Sequence, residues 1–142
     1  MGRHEFLEGM ALADCAIDLH GDSLADLFET AARAVAEVMV DPATVRPTEE
    51  RTVELAAPSL DLLLFDWLSE LIYLKDVEQL VFTDARVQVH HDSSCRLTAR
   101  LAGGPIDPER TGLRADAKAV TFHQFALERQ GAGWRARVVI DI

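Results

Sequence analysis

Two stretches whose apolar residues recur every three or four positions, set among stretches that recur every second position, restrict this chain to an α+β fold. Leu24, Leu27, Phe28, Ala31, Val35, Val38 and Met39 make one helical stripe. Asp22 or Ser23 ahead of it offers a side-chain oxygen to the orphan amides of the first turn. Asp41-Pro42 stops the pattern, because a residue before proline is pushed out of the helical region; residues 41–50 then read as a polar loop. Pro58-Ser59 opens a second helix through Leu60, Leu63, Leu64, Trp67, Leu68, Leu71 and Ile72. Leu62, Phe65 and Tyr73 widen that stripe, which predicts that this helix is the more deeply packed of the two.

The alternating stretches predict strands. In Ala13–His20, Cys15, Ile17 and Leu19 point one way and Asp14, Asp18 and His20 the other, as in a half-buried strand. Arg51–Ala57 is a second strand. From Gln79 onward every segment reads as strand: Leu80–His90, Cys95–Ala102, Ala117–Arg129 and Trp134–Ile140. Turn residues at Asp92-Ser-Ser, Gly103-Gly-Pro and Gly131-Ala-Gly separate them, which predicts a four-stranded meander. The apolar phase slips between Val120/Phe122 and Phe125/Leu127, and a bulge near His123 produces such a slip. The expected order is β-α-β-α-β-β-β-β, with two helices packed on a mainly antiparallel sheet system. A length of 142 residues suits one domain spanning 1–142.

No apolar run approaches the roughly 18 residues of a membrane span, and no basic-then-apolar leader opens the chain. A cytoplasmic protein is the expectation. Two cysteines, Cys15 and Cys95, make neither a disulfide framework nor a CxxC site and read as free thiols. A net charge of −10 argues against direct, sequence-specific binding of nucleic acid, which concentrates Lys and Arg, and suits a basic protein partner or a cation.

Motifs for catalysis are scarce. The chain has no GxSxG, no phosphate-cradling glycine loop, no HExxH and no EF-hand loop. His90-His91 are adjacent at a strand end, so they point to opposite faces and cannot share one ion there. His123 lies within an apolar strand, where a hydrogen-bonded structural role is the usual outcome. The chain end is more suggestive. Asp141-Ile142 follows a strongly patterned strand, and Asp14 or Asp18 from the first strand could complete a cluster of hard oxygens with them. Such a set suits Ca²⁺ or Mg²⁺ and, without His or Cys, suits zinc poorly.

Several segments together resemble the archease family. Glu5-Phe-Leu-Glu8 followed by Ala13-Asp14 entering a strand that closes on Gly21 resembles its opening. Ser23-Leu24 through Glu37-Val-Met-Val-Asp41 is similar to its first helix, and Asp61-Leu-Leu-Leu-Phe-Asp-Trp-Leu-Ser-Glu-Leu-Ile-Tyr-Leu74 to its second. Lys118-Ala-Val-Thr-Phe-His123 resembles a Lys-Ala-Val-Thr-Tyr-His strand, and Trp134–Ile142 a Trp-x-Ala-x-Val-Val-Leu-Asp-Ile ending. The resemblance implies a non-catalytic protein cofactor of GTP-dependent RNA-splicing ligases. Such a cofactor helps the ligase's guanylylated-histidine intermediate turn over repeatedly. It also implies a divalent cation site, typically Ca²⁺, with ligands at the positions of Asp14, Asp141 and Ile142. Lys118 and His123 fall where a partner- or nucleotide-facing role is implied. One departure stands out: the family usually carries His-Thr or a similar pair before Ala-Asp, whereas this chain reads Gly9-Met-Ala-Leu12.

Two other functions compete. A metal-dependent phosphohydrolase could be built on Asp14, Asp18 and Asp141, although no second metal cluster and no suitably spaced base accompany them. An acidic, chaperone-like binding module needs only the surface charge.

Overall fold

A computed structural model describes residues 2–7 and 14–142, so the Gly9–Leu12 departure lies outside the described residues. The elements run β1 (Arg3–Leu7), β2 (Asp14–Gly21), α1 (Leu24–Met39), β3 (Glu49–Ala57), α2 (Leu60–Glu78), β4 (Leu80–His91), β5 (Cys95–Pro105), β6 (Ala119–Gln130) and β7 (Gly133–Asp141). A short 3-10 turn at Pro42–Thr44 occupies part of the expected polar loop. The α+β class and the order from β2 onward follow the sequence pattern; β1 is an added edge strand, paired antiparallel with β2. Its five residues are mostly exposed, so no apolar alternation marks it.

Both helices begin as their sequences dictate. The hydroxyl oxygens of Ser23 and Ser59 accept the amides of Asp26 and Leu62 at 3.1 and 3.2 Å. Helix α1 stops at Val40, which has left the helical region ahead of Asp41-Pro42. Helix α2 ends on Gln79 in the left-handed conformation.

The last four strands do not form one meander. Strands β4 and β5 join β3 in a three-stranded sheet of order β3-β5-β4, while β6 and β7 join a four-stranded sheet of order β1-β2-β7-β6. The Gly103-Gly104-Pro105 signal is not a turn. These residues end β5, and their lack of a side chain allows close approach: a Cβ at Gly103 would lie 2.0 Å from the Val81 carbonyl oxygen, and one at Gly104 1.9 Å from that of Arg46. The chain then crosses between sheets through residues 106–118, too long a connection for a hairpin.

Each helix touches both sheets: α1 packs on β2, β1, β7 and β4, and α2 on β6, β3, β4 and β5. One apolar core results, centred on Phe28, Leu63, Leu64, Trp67 and Ile17. The Trp67 indole N–H, which burial would otherwise orphan, donates to the Phe28 carbonyl at 2.9 Å and ties the helices together. Helix α2 is apolar nearly all round, but only part of it is covered: Leu62, Tyr73 and Val77 stay exposed. Among the described residues no helix is long and apolar enough to cross a membrane.

Lys75 of α2 is a buried cation that periodicity did not reveal. Its Nζ donates to the Ala117 carbonyl at 2.7 Å and pairs with Asp116 and Asp76, fastening the end of the crossing segment to the helix. Burial pulls its pKa down, but the hydrogen bonds to Asp116 and Asp76 outweigh that and leave it raised.

Candidate functional site

Strand β7 lies between β2 and β6, and the register of those pairings decides which charges meet. Asp14 stands opposite Asp141, and Asp18 opposite Arg137; on the other side of β7, Ala119 stands opposite Asp141. Cys15, Ile17 and Leu19 turn toward the helices. The period of two therefore sends Asp14 and Asp18 to the outer face, as the sequence predicts.

The structure separates these two aspartates. Asp18 is buried, and its carboxylate accepts from Arg137 Nε at 3.0 Å and from Arg135 Nη2 at 3.3 Å. The Arg137 hydrogen bond, working against burial and helped by Arg135, holds its carboxyl below the usual range. Asp18 is thus committed to a structural ion pair and is not the third carboxylate of a cluster. Asp14 instead meets Asp141. Hydrogen bonding with the facing Asp14 carboxyl, desolvation and the Asp14 charge push the Asp141 carboxyl above its usual range, while the Lys118 charge pulls it back. Two carboxylates face each other across the strands, with the Lys118 charge close enough to act on Asp141.

Lys118 is placed there by backbone. Its N–H donates to the Asp141 carbonyl at 2.8 Å, and the preceding residues are held by Lys75 at Ala117 and Asp116. The Lys118 side chain is exposed. Ile142 is half-buried against the core, which seats the residue after Asp141 beside the same strands. Among the described residues no three His, Cys, Asp or Glu side chains converge as metal ligands. The side-chain donors here are the two carboxylates, and any further donor must come from Ile142 or from solvent. An all-oxygen set of crowded negative charge fits a hard divalent cation, and it does not fit zinc.

The remaining candidates lie elsewhere. His90 and His91 are exposed at the end of β4, and Cys15 and Cys95 are free thiols, Cys15 with its pKa raised by burial. His123 is not the structural histidine that its apolar surroundings suggest. The β6–β7 register breaks between Thr121 and Ala126, so residues 122–125 bulge out and His123 is exposed. Its backbone N–H donates to Thr121 Oγ1 at 3.2 Å, and Gln124 takes a φ of 54°. The bulge itself was legible in the phase slip; its extent was not.

Comparison with known proteins gives a consistent picture. Residues 5–142 match the Archease protein family (MTH1598/TM1083). The chain is 37% identical over 142 residues to protein archease of Methanosarcina mazei, covering 99% of this chain and 96% of that one. It is 36% identical over 132 residues to protein archease of Pyrococcus abyssi, covering 92% and 93%. The solution structure of Methanobacterium thermoautotrophicum protein 1598 superposes with a TM-score of 0.80 at 33% identity, covering 98% of each chain. A crystal structure from Thermotoga maritima, described as an archease and possible chaperone, shares the fold at a TM-score of 0.62 and 22% identity, covering 99% of this chain and 100% of that one.

Proposed function

The chain belongs to the archease family, and from that membership we propose that it is a non-catalytic activator of a GTP-dependent RNA-splicing ligase, acting in the cytoplasm. In this reading it promotes guanylylation of the ligase and lets one ligase molecule complete many ligations. The observation that carries the reading is the register of β2, β7 and β6. It gathers Asp14, Asp141 and Lys118 at one end of the sheet, where neither acid is spent on an arginine.

Asp14 and Asp141, with an oxygen of Ile142, would hold a divalent cation, Ca²⁺ by preference for an oxygen set with a flexible shell. The cation would supply charge neutralisation, which joins the ends of β2 and β7 and frees the Lys118 ammonium from the facing acids. Lys118, exposed and next to that charge, presents a positive group toward the ligase or its bound nucleotide. A self-standing phosphohydrolase is less well supported. Its third carboxylate would have to be Asp18, and Arg137 and Arg135 already neutralise it.

Multiple-turnover ligation of RNA by the cognate ligase, with and without this protein, tests the proposal. The protein should multiply the ligation events per ligase and should neither join RNA nor hydrolyse GTP by itself. GTP turnover that survives repeated purification, or a ligase indifferent to the protein, would count against it.

A further inference from the structure

The β6 bulge has a second effect, on aromatic residues. In an unbroken strand Phe122 and Phe125, an odd number of positions apart, would face opposite sides of the sheet. The bulge turns both toward α2. Phe122 stacks on Phe65 with ring centroids 4.1 Å apart and planes 2° from parallel, and Phe125 meets both rings edge-on at 5.9 and 6.0 Å. This arrangement forgoes strand pairing over residues 122–125 and holds Gln124 in the left-handed region, which is strained for a residue with a Cβ. Phe65 and Phe125 lie half-buried against the core, yet Phe122 remains 61% exposed. Seating Phe125 against the core accounts for part of that strain but not for the exposed Phe122 ring, and strained segments of this kind gather at binding sites.

The patch continues along α2. Leu62 is one turn before Phe65 and Tyr73 two turns beyond it, and both are exposed. Between and beside them lie Asp61, next to Phe65 on the helix surface, and Asp66, next to Leu62. Both acids are exposed, and neither has a cation partner among the described residues. An aromatic centre with an uncompensated acidic rim is the form of a protein-binding site whose partner brings an apolar anchor and a basic border.

We propose that Phe122, Phe65 and Phe125, rimmed by Asp61 and Asp66, are the docking surface for a basic face of the RNA ligase; this rests on the function proposed above. The rim selects among occupants. A second copy of the chain would set Asp61 and Asp66 against their own equivalents. Nucleic acid or an anionic membrane would bring phosphate against them. A protein surface carrying Lys or Arg around an aliphatic or aromatic anchor is the complementary one. Lys118 immediately precedes β6, the strand that carries Phe122 and Phe125, so docking at the bulge would bring the start of that strand, and the carboxylate pair beside it, up to the same partner.

Titrating the purified cognate ligase with the full-length protein tests this, comparing wild type, Phe122→Ser and the double variant Asp61→Lys/Asp66→Lys. Phe122→Ser should weaken binding at least tenfold. The charge reversal should weaken it most at low salt, with the gap closing as salt rises. Both variants alter exposed positions and should keep the wild-type circular dichroism. Should Phe122→Ser prove unfolded, the charge reversal on the solvent face of α2 decides alone. If wild type binds and both folded variants bind within twofold of it, the docking surface is wrong while the proposed function stands. If wild type neither binds nor stimulates the ligase, both fall together. Sedimentation showing a wild-type dimer that Phe122→Ser dissolves would assign the patch to self-association and overturn the proposal.

Discussion

Asp14 and Asp18 occupy like places: the same strand, the same face, each paired across to β7. They differ only in what the register brings opposite. Asp18 meets Arg137 and is fixed, buried and held ionised; Asp14 meets Asp141, whose carboxyl is pushed above its usual range by hydrogen bonding with Asp14, desolvation and the Asp14 charge. A carboxylate with a matched arginine is explained by stability. Two facing carboxylates at the end of a sheet cost stability unless something positive joins them. The comparison therefore separates an acid explained by its ion pair from a facing acid pair that the fold alone leaves unexplained, and it is on that pair that the proposed cation site rests.

The largest expected effect lies on the structural side. Asp18→Asn removes the charge that both arginines share and should cost about 2 kcal/mol in urea unfolding. That is less than for a fully buried pair, because Arg135 and Arg137 are about a third exposed. A loss under half of this would place Asp18 with the solvated acids and dissolve the contrast with Asp14.

Titration sharpens the same point. The folded pKa of Asp18 is lowered, so its contribution is complete above the unfolded value, about 3.9, and is lost as pH falls through the lowered folded value. The stability gap between wild type and Asp18→Asn should thus be constant near neutrality and narrow in acid below about pH 3.9. A gap that widens on acidification would mean that the sign of the interaction is wrong.

A smaller effect is expected at Lys118. Lys118→Ala removes an exposed side chain while leaving its backbone bond to Asp141 in place, so stability should move by no more than about 0.5 kcal/mol. Stimulation of the ligase should nevertheless fall. An unfolded variant would show that the lysine holds the strand end and does not face a partner.

Much of this was legible in the sequence, for physical reasons that also mark where legibility stopped. Serine caps and three-to-four spacing announced both helices, and the slip of apolar phase announced the bulge. Period two placed Asp14 and Asp18 on one face but could not choose between them, because only the β2–β7 register does that. The division into two sheets was hidden, since Gly103-Gly104 resembles a turn while serving close backbone contact. Lys75 was hidden too: on a helix, a lysine beside the apolar stripe reads as solvated unless its partners, here Ala117 and Asp116, are known to cross above it. The uncovered stripe of α2 contradicted the expectation of the deeper helix; breadth of apolar residues signalled a second surface, not depth alone.

The most direct test of the contrast is the melting temperature in calcium. Binding to the folded state alone raises stability by mass action. Ca²⁺ should therefore raise the melting temperature of wild type and of Asp18→Asn alike. Asp14→Asn should show no calcium response and a metal-free stability equal to or above that of wild type. A wild type indifferent to Ca²⁺ and Mg²⁺, or an Asp14→Asn variant that still responds, would contradict the assignment of Asp14 and Asp141 as the cation site.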